Sequence, residues 1–389
     1  MQTVKLGTIC DIQAGGTPSR AEPVYWKNGT IPWVKISDFD GGNVRTTEES
    51  ITQEGLDNSS AKLFPKGTIL YTIFATLGEV AVLQMEAATN QAIAGLHLHD
   101  ERIDAAYLYY FLISIKEKVL RLGRGVTQNN INLKILRNID VPVPPLAEQQ
   151  RIVRELQQVG ALLANRRQVD EQLAELPKAR FVEMFGDPVV NPMGWEKFPL
   201  GNLCESIVDC PHSTPTYYKE DTGYGCIRTS IIKKGQILWD NLEYISSTEY
   251  AQRIRRRVPR KGDIVYTREG AILGIAAVID CNRKVALGQR SMLLSPNKKI
   301  CNETFLCSVM NADTFFTYAT RGMNGTASPH INVKDIKKIP VPLPPLPAQR
   351  RFAAFARACA AQRAACARQI AVLETLRGKL LQDAFGAAG

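Results

Sequence analysis

The residue types that usually carry chemistry are thinly spread along this 389-residue chain. It has four histidines, His97, His99, His212 and His330, and nine cysteines without one C-x-x-C pair. His97-x-His99 could set two ligands on one strand face, but no third ligand is spaced to join them, so the pair reads as a strand with two partly exposed histidines. An odd number of scattered cysteines reads as reduced thiols in a cytosolic protein. No G-x-S-x-G elbow is present, and the carboxylates do not cluster as a nuclease would need. "AGGTPSR" (residues 14–20) fails the G-x-x-x-x-G-K-[ST] pattern, so no nucleoside triphosphate site is implied. Pro-Pro occurs only in "VPPL" and "LPPL", without the Asn or Asp that precedes it where a flipped adenine is held. No catalysis, cofactor or metal is expected of this chain.

Binding chemistry is better supplied. The formal net charge is +10, which favours a polyanion, most often nucleic acid. The densest basic run is "RIRRRVPRK", residues 253–261, with six cations. Base edges are read by Arg, Lys, Asn and Gln on loops, and phosphates by Lys, Arg, Ser and Thr. Both halves of the chain offer such loops. The first has Arg20 in "GGTPSR", Lys35 and Ser37 in "VKISDF", and Thr127, Gln128 and Asn129 in "VTQNN". The second has Arg228 and Ser230 in "IRTSIIKK", Thr267 and Arg268 in "YTREG", and Ser328 and His330 in "TASPH". Arg268, charged and beside a turn glycine, and Gln128 are the foremost candidates for base or phosphate contact. A surface salt bridge or loop hydrogen bond is the other reading of each.

Something must position these loops, and the chain spells it twice. "INLKILRNIDVPVPPLAEQQR" (131–151) lies over "INVKDIKKIPVPLPPLPAQRR" (331–351) with 11 of 21 positions identical. At the same offset Leu173 matches Leu373, Leu176 matches Leu376, and Phe185-Gly186 matches Phe385-Gly386. Earlier, "KGTILYT" answers "KGDIVYT", at an offset that has drifted. Each half therefore has a shared frame, a variable body and a well-matched tail. The repeated Pro-x-Pro-Pro phrase lacks amide donors and has fixed φ, so it should be a stiff, extended connector. Residues 1–145 and 187–345 mix short β-branched runs with Gly, Pro, Asn and Asp turns. One helix, "AAYLYYFLISIKEKVLRL", is expected in the first body.

After each proline phrase the composition turns to Ala, Leu, Gln, Glu and Arg, giving two long helices, 146–186 and 346–389. Ile152, Leu156, Val159, Leu163, Val169, Leu173 and Leu176 line one side of the first. Phe352, Cys359, Cys366, Leu373 and Leu380 recur every seven residues in the second. That is a coiled-coil seam. At 1.5 Å per residue each helix spans on the order of 55–60 Å and would hold two bodies apart. The fold class expected is α+β: two duplicated mixed α/β bodies separated by two long helices packed on each other. Two different reading bodies on a spacer suit a duplex site with two unlike halves.

On these residues the chain resembles a known family, the specificity (S) subunits of type I restriction-modification systems. The resemblance is carried by "GGTPSR", "YWKNGTIPWVKISDF", "KGTILYT" and "KGDIVYTREG", and by "GVTQNNIN" and "GTASPHIN" leading into "VPVPPLAEQQRI" and "VPLPPLPAQRRF". It implies two target-recognition domains, each reading one half of a bipartite, asymmetric double-stranded DNA site. It also implies an antiparallel helical spacer that docks two methyltransferase (M) subunits, joined by motor–nuclease (R) subunits. S-adenosylmethionine would bind the M subunit, and ATP and Mg the R subunit. Gln149 and Gln349, with Arg151 and Arg351, Leu173, Leu176, Leu373 and Leu376, would belong to the subunit interface or the spacer, though each glutamine could equally just begin its helix. No membrane partner is expected, because the longest uncharged apolar run, residues 271–279, is far short of the roughly 20 residues a span needs. Two other readings share these features: a coiled-coil scaffold with two protein-binding adaptor domains, and the specificity part of a fused restriction–methylation enzyme.

Overall fold

A computed structural model of the protein describes residues 2–123, 130–270, 272–321 and 330–386. The backbone divides into two compact units, residues 1–167 with 368–389, and residues 168–367. These bounds differ from bodies cut off at the proline phrases. A 40-residue helix with one apolar face has to bury it, so each unit takes in half of both long helices.

The first body is built on a five-stranded sheet in the order Cys10–Ala14, Ile93–Leu98, Ile69–Thr72, Val80–Leu83, Asn43–Val44. A second sheet runs Glu49–Ile51, Ile31–Val34, Ala87–Thr89, Leu63–Phe64. Within it, Ile31–Val34 is parallel to Ala87–Thr89 and antiparallel to Glu49–Ile51. The second body repeats the plan. One sheet runs Cys204–Asp209, Ser291–Pro296, Ile264–Thr267, Ala276–Val278; the other runs Glu243–Tyr244, Gly225–Ile227, Val285–Leu287, with the last pair parallel. The recurring "KG" of both halves has a conformational cause: Gly67 and Gly262 sit at φ of 90° and 92°, where L side chains are strained. The single helix expected in the first body is two, Ala105–Ser114 and Lys116–Gly123.

The proline phrase does more than connect. Asp140–Pro142 pairs antiparallel with Thr3–Lys5, and Pro340–Pro342 with Lys197–Pro199. Each is a two-stranded ladder, where a missing amide donor is tolerated. Each body is thus closed where its chain enters and leaves. The helices Leu146–Phe185 and Leu346–Phe385 follow directly.

Within each unit the start of one long helix packs antiparallel on the end of the other. In the first, Ile152, Val153 and Leu156 share a core with Phe385, whose ring lies 5.1 Å from Tyr107 and 5.8 Å from Phe111, and Arg167 meets Glu374 at 2.7 Å. In the second, Phe181 and Phe185 pack on Phe305 and Phe352, and Arg363 holds Asp170 at 3.0 Å. Each long helix therefore ends in the unit whose body it does not follow. Ile152, Leu156, Val159 and Leu163 are buried in the seam, as are Phe352, Cys359 and Cys366. Leu173 and Leu373 are half-buried, while Leu176 and Leu376 turn outward at 44% and 42% exposure, so the expected seam does not reach them.

Candidate nucleic-acid interface

At the carboxyl end of its parallel strand pair, each body builds the same polar constellation from different residues. In the first, Ile31–Val34 runs into Lys35, whose backbone N–H donates to the Asp38 carboxylate at 2.7 Å and opens a 3₁₀ turn carrying the exposed Ser37. The Lys35 ammonium reaches Glu48 at 2.6 Å and Glu49 at 3.0 Å. Arg20 meets the same Glu49 at 2.6 Å, and its guanidinium stacks 3.6 Å above Trp26. Trp26 is braced edge-on by Trp33 at 5.0 Å. Glu48 and then Glu49 hold the Lys35 ammonium above its ordinary range, and Arg20 holds the Glu49 carboxyl below its own.

In the second body, Gly225–Ile227 runs into Arg228, and the following 3₁₀ turn exposes Ser230. Arg228 pairs with Glu243 and lies 4.5 Å over the Tyr217 ring. Glu243 raises the Arg228 guanidinium further above its ordinary value. The register makes the correspondence explicit: Trp33 faces Glu49 and Ala88, and Cys226 faces Glu243 and Ala286. Tyr217 follows Thr214-Pro215 as Arg20 follows Thr17-Pro18, with both prolines buried. The frame and its exposed serine are common, whereas Arg20 gives way to Tyr217 and Lys35 to Arg228.

Two residues that sequence reasoning overlooked complete the edge. Gln91 and Gln289 stand three residues past Ala88 and Ala286. Gln91 takes the Thr17 hydroxyl, and Gln289 holds the Thr214 hydroxyl. Their offset of 198 (289 minus 91) falls between the matched anchors of the two halves, and only a register through the strands exposes it. Arg290, exposed beside Gln289, adopts φ 65°, a sparsely populated conformation for a side-chain-bearing residue.

Other candidates are placed differently. Thr267 is fully buried, and its hydroxyl accepts from Ile275 N–H at 2.9 Å. Thr72 does the same for Glu79 at 2.8 Å. Arg268 is 5% exposed: its guanidinium holds both Asp209 oxygens, at 2.8 and 3.0 Å, and Glu269 at 2.7 Å. A cation so enclosed meets no phosphate or base, so Arg268 and Thr267 are supports rather than contacts. His330 is exposed and bridges Glu269 in the backbone. Thr127, Gln128, Asn129 and Ser328 lie outside the described residues. In the basic run, Arg253 is buried and Arg257 lies between Asp263 at 3.6 Å and Glu205 at 3.9 Å, whereas Arg255, Arg256, Arg260 and Lys261 are exposed.

Gln149 and Gln349 are both fully buried, which removes them from any subunit interface. Gln149 accepts from Asp104 N–H at 2.8 Å and donates to the Arg102 and Pro144 carbonyls at 2.8 and 2.9 Å. Gln349 accepts from Asn302 N–H at 2.8 Å and donates to the Ile300 and Pro344 carbonyls at 3.1 and 2.7 Å. Each clamps the first turn of a long helix to its own body. Arg151 is tied within its helix to Glu148 and Glu155, and Arg351 is exposed.

Among the described residues no group of three His, Cys, Asp or Glu side chains could hold a metal ion. Nor is any described helix long and apolar enough to cross a membrane. The family model for the type I restriction modification DNA specificity domain matches the chain twice, over residues 1–175 and 192–370. The chain belongs to that family. It is 24% identical, over 97% of its own length and 90% of the relative's, to the type I restriction enzyme MjaIX specificity subunit of Methanocaldococcus jannaschii. It is 23% identical to the EcoBI specificity subunit of Escherichia coli, over 90% of this chain and 77% of that one. Its fold is shared with a solved structure described as underlying complex assembly and conformational transition of the type I restriction-modification system, with TM-score 0.61, 22% identity, and 99% and 97% of the two chains covered. The two matches fall one on each body.

Proposed function

We propose that this chain gives a type I restriction-modification complex its DNA sequence, each body reading one half of a bipartite, asymmetric duplex site. The observation that carries this reading is the constellation built twice with partly unlike contents: Ser37 and Gln91 recur as Ser230 and Gln289, while Arg20 gives way to Tyr217 and Lys35 to Arg228. Identical groups would suit a palindrome; different groups on one frame suit two unrelated half-sites. The cations here are held by carboxylates and rings, which fixes them as rigid groups for base edges and leaves phosphates to the exposed arginines and lysines.

The chain itself performs no chemistry in this reading. The two long helices dock a pair of methyltransferase subunits, one per half, and restriction subunits join that complex. S-adenosylmethionine belongs to the methyltransferase, and ATP and Mg to the restriction subunit, all in the cytoplasm. The outward Leu176 and Leu376, at matching places on the two helices, supply apolar surface for such docking. The test is methylome sequencing of a host expressing the cognate methyltransferase with and without this chain. A bipartite N6-methyladenine motif present only with the chain is expected. Identical methylomes, with the complex shown to assemble, would refute the proposal.

A further inference from the structure

Gln91 and Gln289 occupy the same place in their bodies but are committed differently. Gln289 donates one amide hydrogen to the His212 carbonyl at 3.1 Å and the other to the Thr214 hydroxyl. A carbonyl can only accept, so the His212 contact fixes which end of the amide is nitrogen. With both hydrogens used, Oε1 is left, and among the described residues it has no partner and is not among the buried unpaired atoms. Gln91 is tethered instead through its oxygen, to Thr17 Oγ1, and keeps its amide hydrogens.

The loop that pins Gln289 is itself pinned. The Arg253 guanidinium is 9% exposed and donates to the Leu287 carbonyl at 3.1 Å and to Ser213. Arg268 fixes Asp209 at the root of the same loop, and its backbone N–H donates to the Arg290 carbonyl at 2.9 Å. Gln289 thus stands on rigid supports, as a specificity contact must, because a donor and an acceptor that swap freely discriminate nothing.

We infer that Gln289 is a specificity-determining residue of the second body that acts as an acceptor only. This rests on the reading above that the body meets duplex DNA. In the major groove an acceptor distinguishes the exocyclic amino group of adenine or cytosine from the keto oxygen of thymine or guanine at the same edge. A glutamine free to use both ends would take adenine through N6 and N7 together; this one cannot. It therefore selects an amino base, A or C, at one position of the second half-site. Any choice between those two comes from its neighbours.

The test is competition binding by the purified complex of this chain with its methyltransferase, using duplexes that carry every single base-pair change across the site. For the wild-type chain, one position in the second half-site should prefer an amino base over a keto base by about tenfold or more. Gln289→Met should abolish that preference at that position alone, with the other half-site unchanged. Thr214→Val, which frees one amide hydrogen and lets the side chain turn, should weaken the preference at the same position. The inference is overturned if Gln289→Met keeps every preference, if the position it relaxes prefers a keto base, or if a folded Gln289→Met complex loses all binding. Should the wild-type complex bind all duplexes alike, the proposed function itself fails, which is a separate result.

Discussion

At one corner of the sheet the two bodies solve the same packing problem with opposite chemistry. Ile131 N–H donates to the Ile73 carbonyl at 3.1 Å, and Ile331 N–H donates to the Arg268 carbonyl at 2.9 Å, so Ile73 and Arg268 hold the same position. Ala14 and Asp209 correspond as well, facing Ala94 and Met292 across the neighbouring strand. The first body fills the corner with Ala14 and a 3%-exposed Ile73; the second fills it with a nearly buried ion pair. A frame that accepts either filling holds its backbone by other means, and those means recur unchanged: the glutamine clamp, the threonine under the hairpin, the terminal ladder and the phenylalanine supplied by the opposite helix. The ion pair belongs to the variable part. Its second carboxylate partner, Glu269, has Phe74 as its counterpart in the first body, as the matching backbone bridges to His330 and Asn130 show.

That division makes ordered predictions. Phe385→Ala and Phe185→Ala should each cost about 4 kcal/mol, because each empties an aromatic cluster in a shared position. Urea denaturation of the two variants should show similar losses, and a large inequality would break the claim of a common frame. Arg268→Ile alone should cost about 3 kcal/mol, the lower end for breaking a buried pair, since Asp209 keeps 23% exposure. Adding Asp209→Ala copies the first body's corner and should recover most of that loss. Equal losses in the single and double variants would mean the pair does more than fill space.

Gln149→Ala and Gln349→Ala each strand three backbone groups, one buried and two half-buried, and should each cost about 2 kcal/mol, again alike in the two bodies. Arg20→Ala should move stability by less than about 1 kcal/mol, because its ion pair with Glu49 is half-exposed. Its readout is DNA binding. As a base contact, Arg20 should relax one position while leaving the salt dependence unchanged. A phosphate contact would instead reduce the logarithmic salt slope by about 1.

The frame was open to sequence reading because it is local. Proline phrases, helix-forming tails and the "KG" turns all announce themselves within a few residues, and repetition doubled each signal. The site was only half open. The structure brings Arg20, Lys35, Ser37, Arg228 and Ser230 to matching edges of the two bodies, where short-range polar patterning keeps them at least partly exposed. Arg268 was misplaced because its partner Asp209 lies 59 residues away, and no local pattern reveals that pairing. The burial of Gln149 and Gln349 was hidden for the same reason, with partners 45 and 47 residues back. Gln91 and Gln289 escaped notice because loops of different length shift the offset between halves, and only strand pairing restores it.

Each body is proposed to read its own half-site. The most direct measurement of this is the methylome of a host carrying the methyltransferase and this chain with residues 1–145 exchanged for the first body of another family member. One half of the methylated motif should change while the other half and the spacing persist. A motif altered in both halves, or in neither, would contradict it.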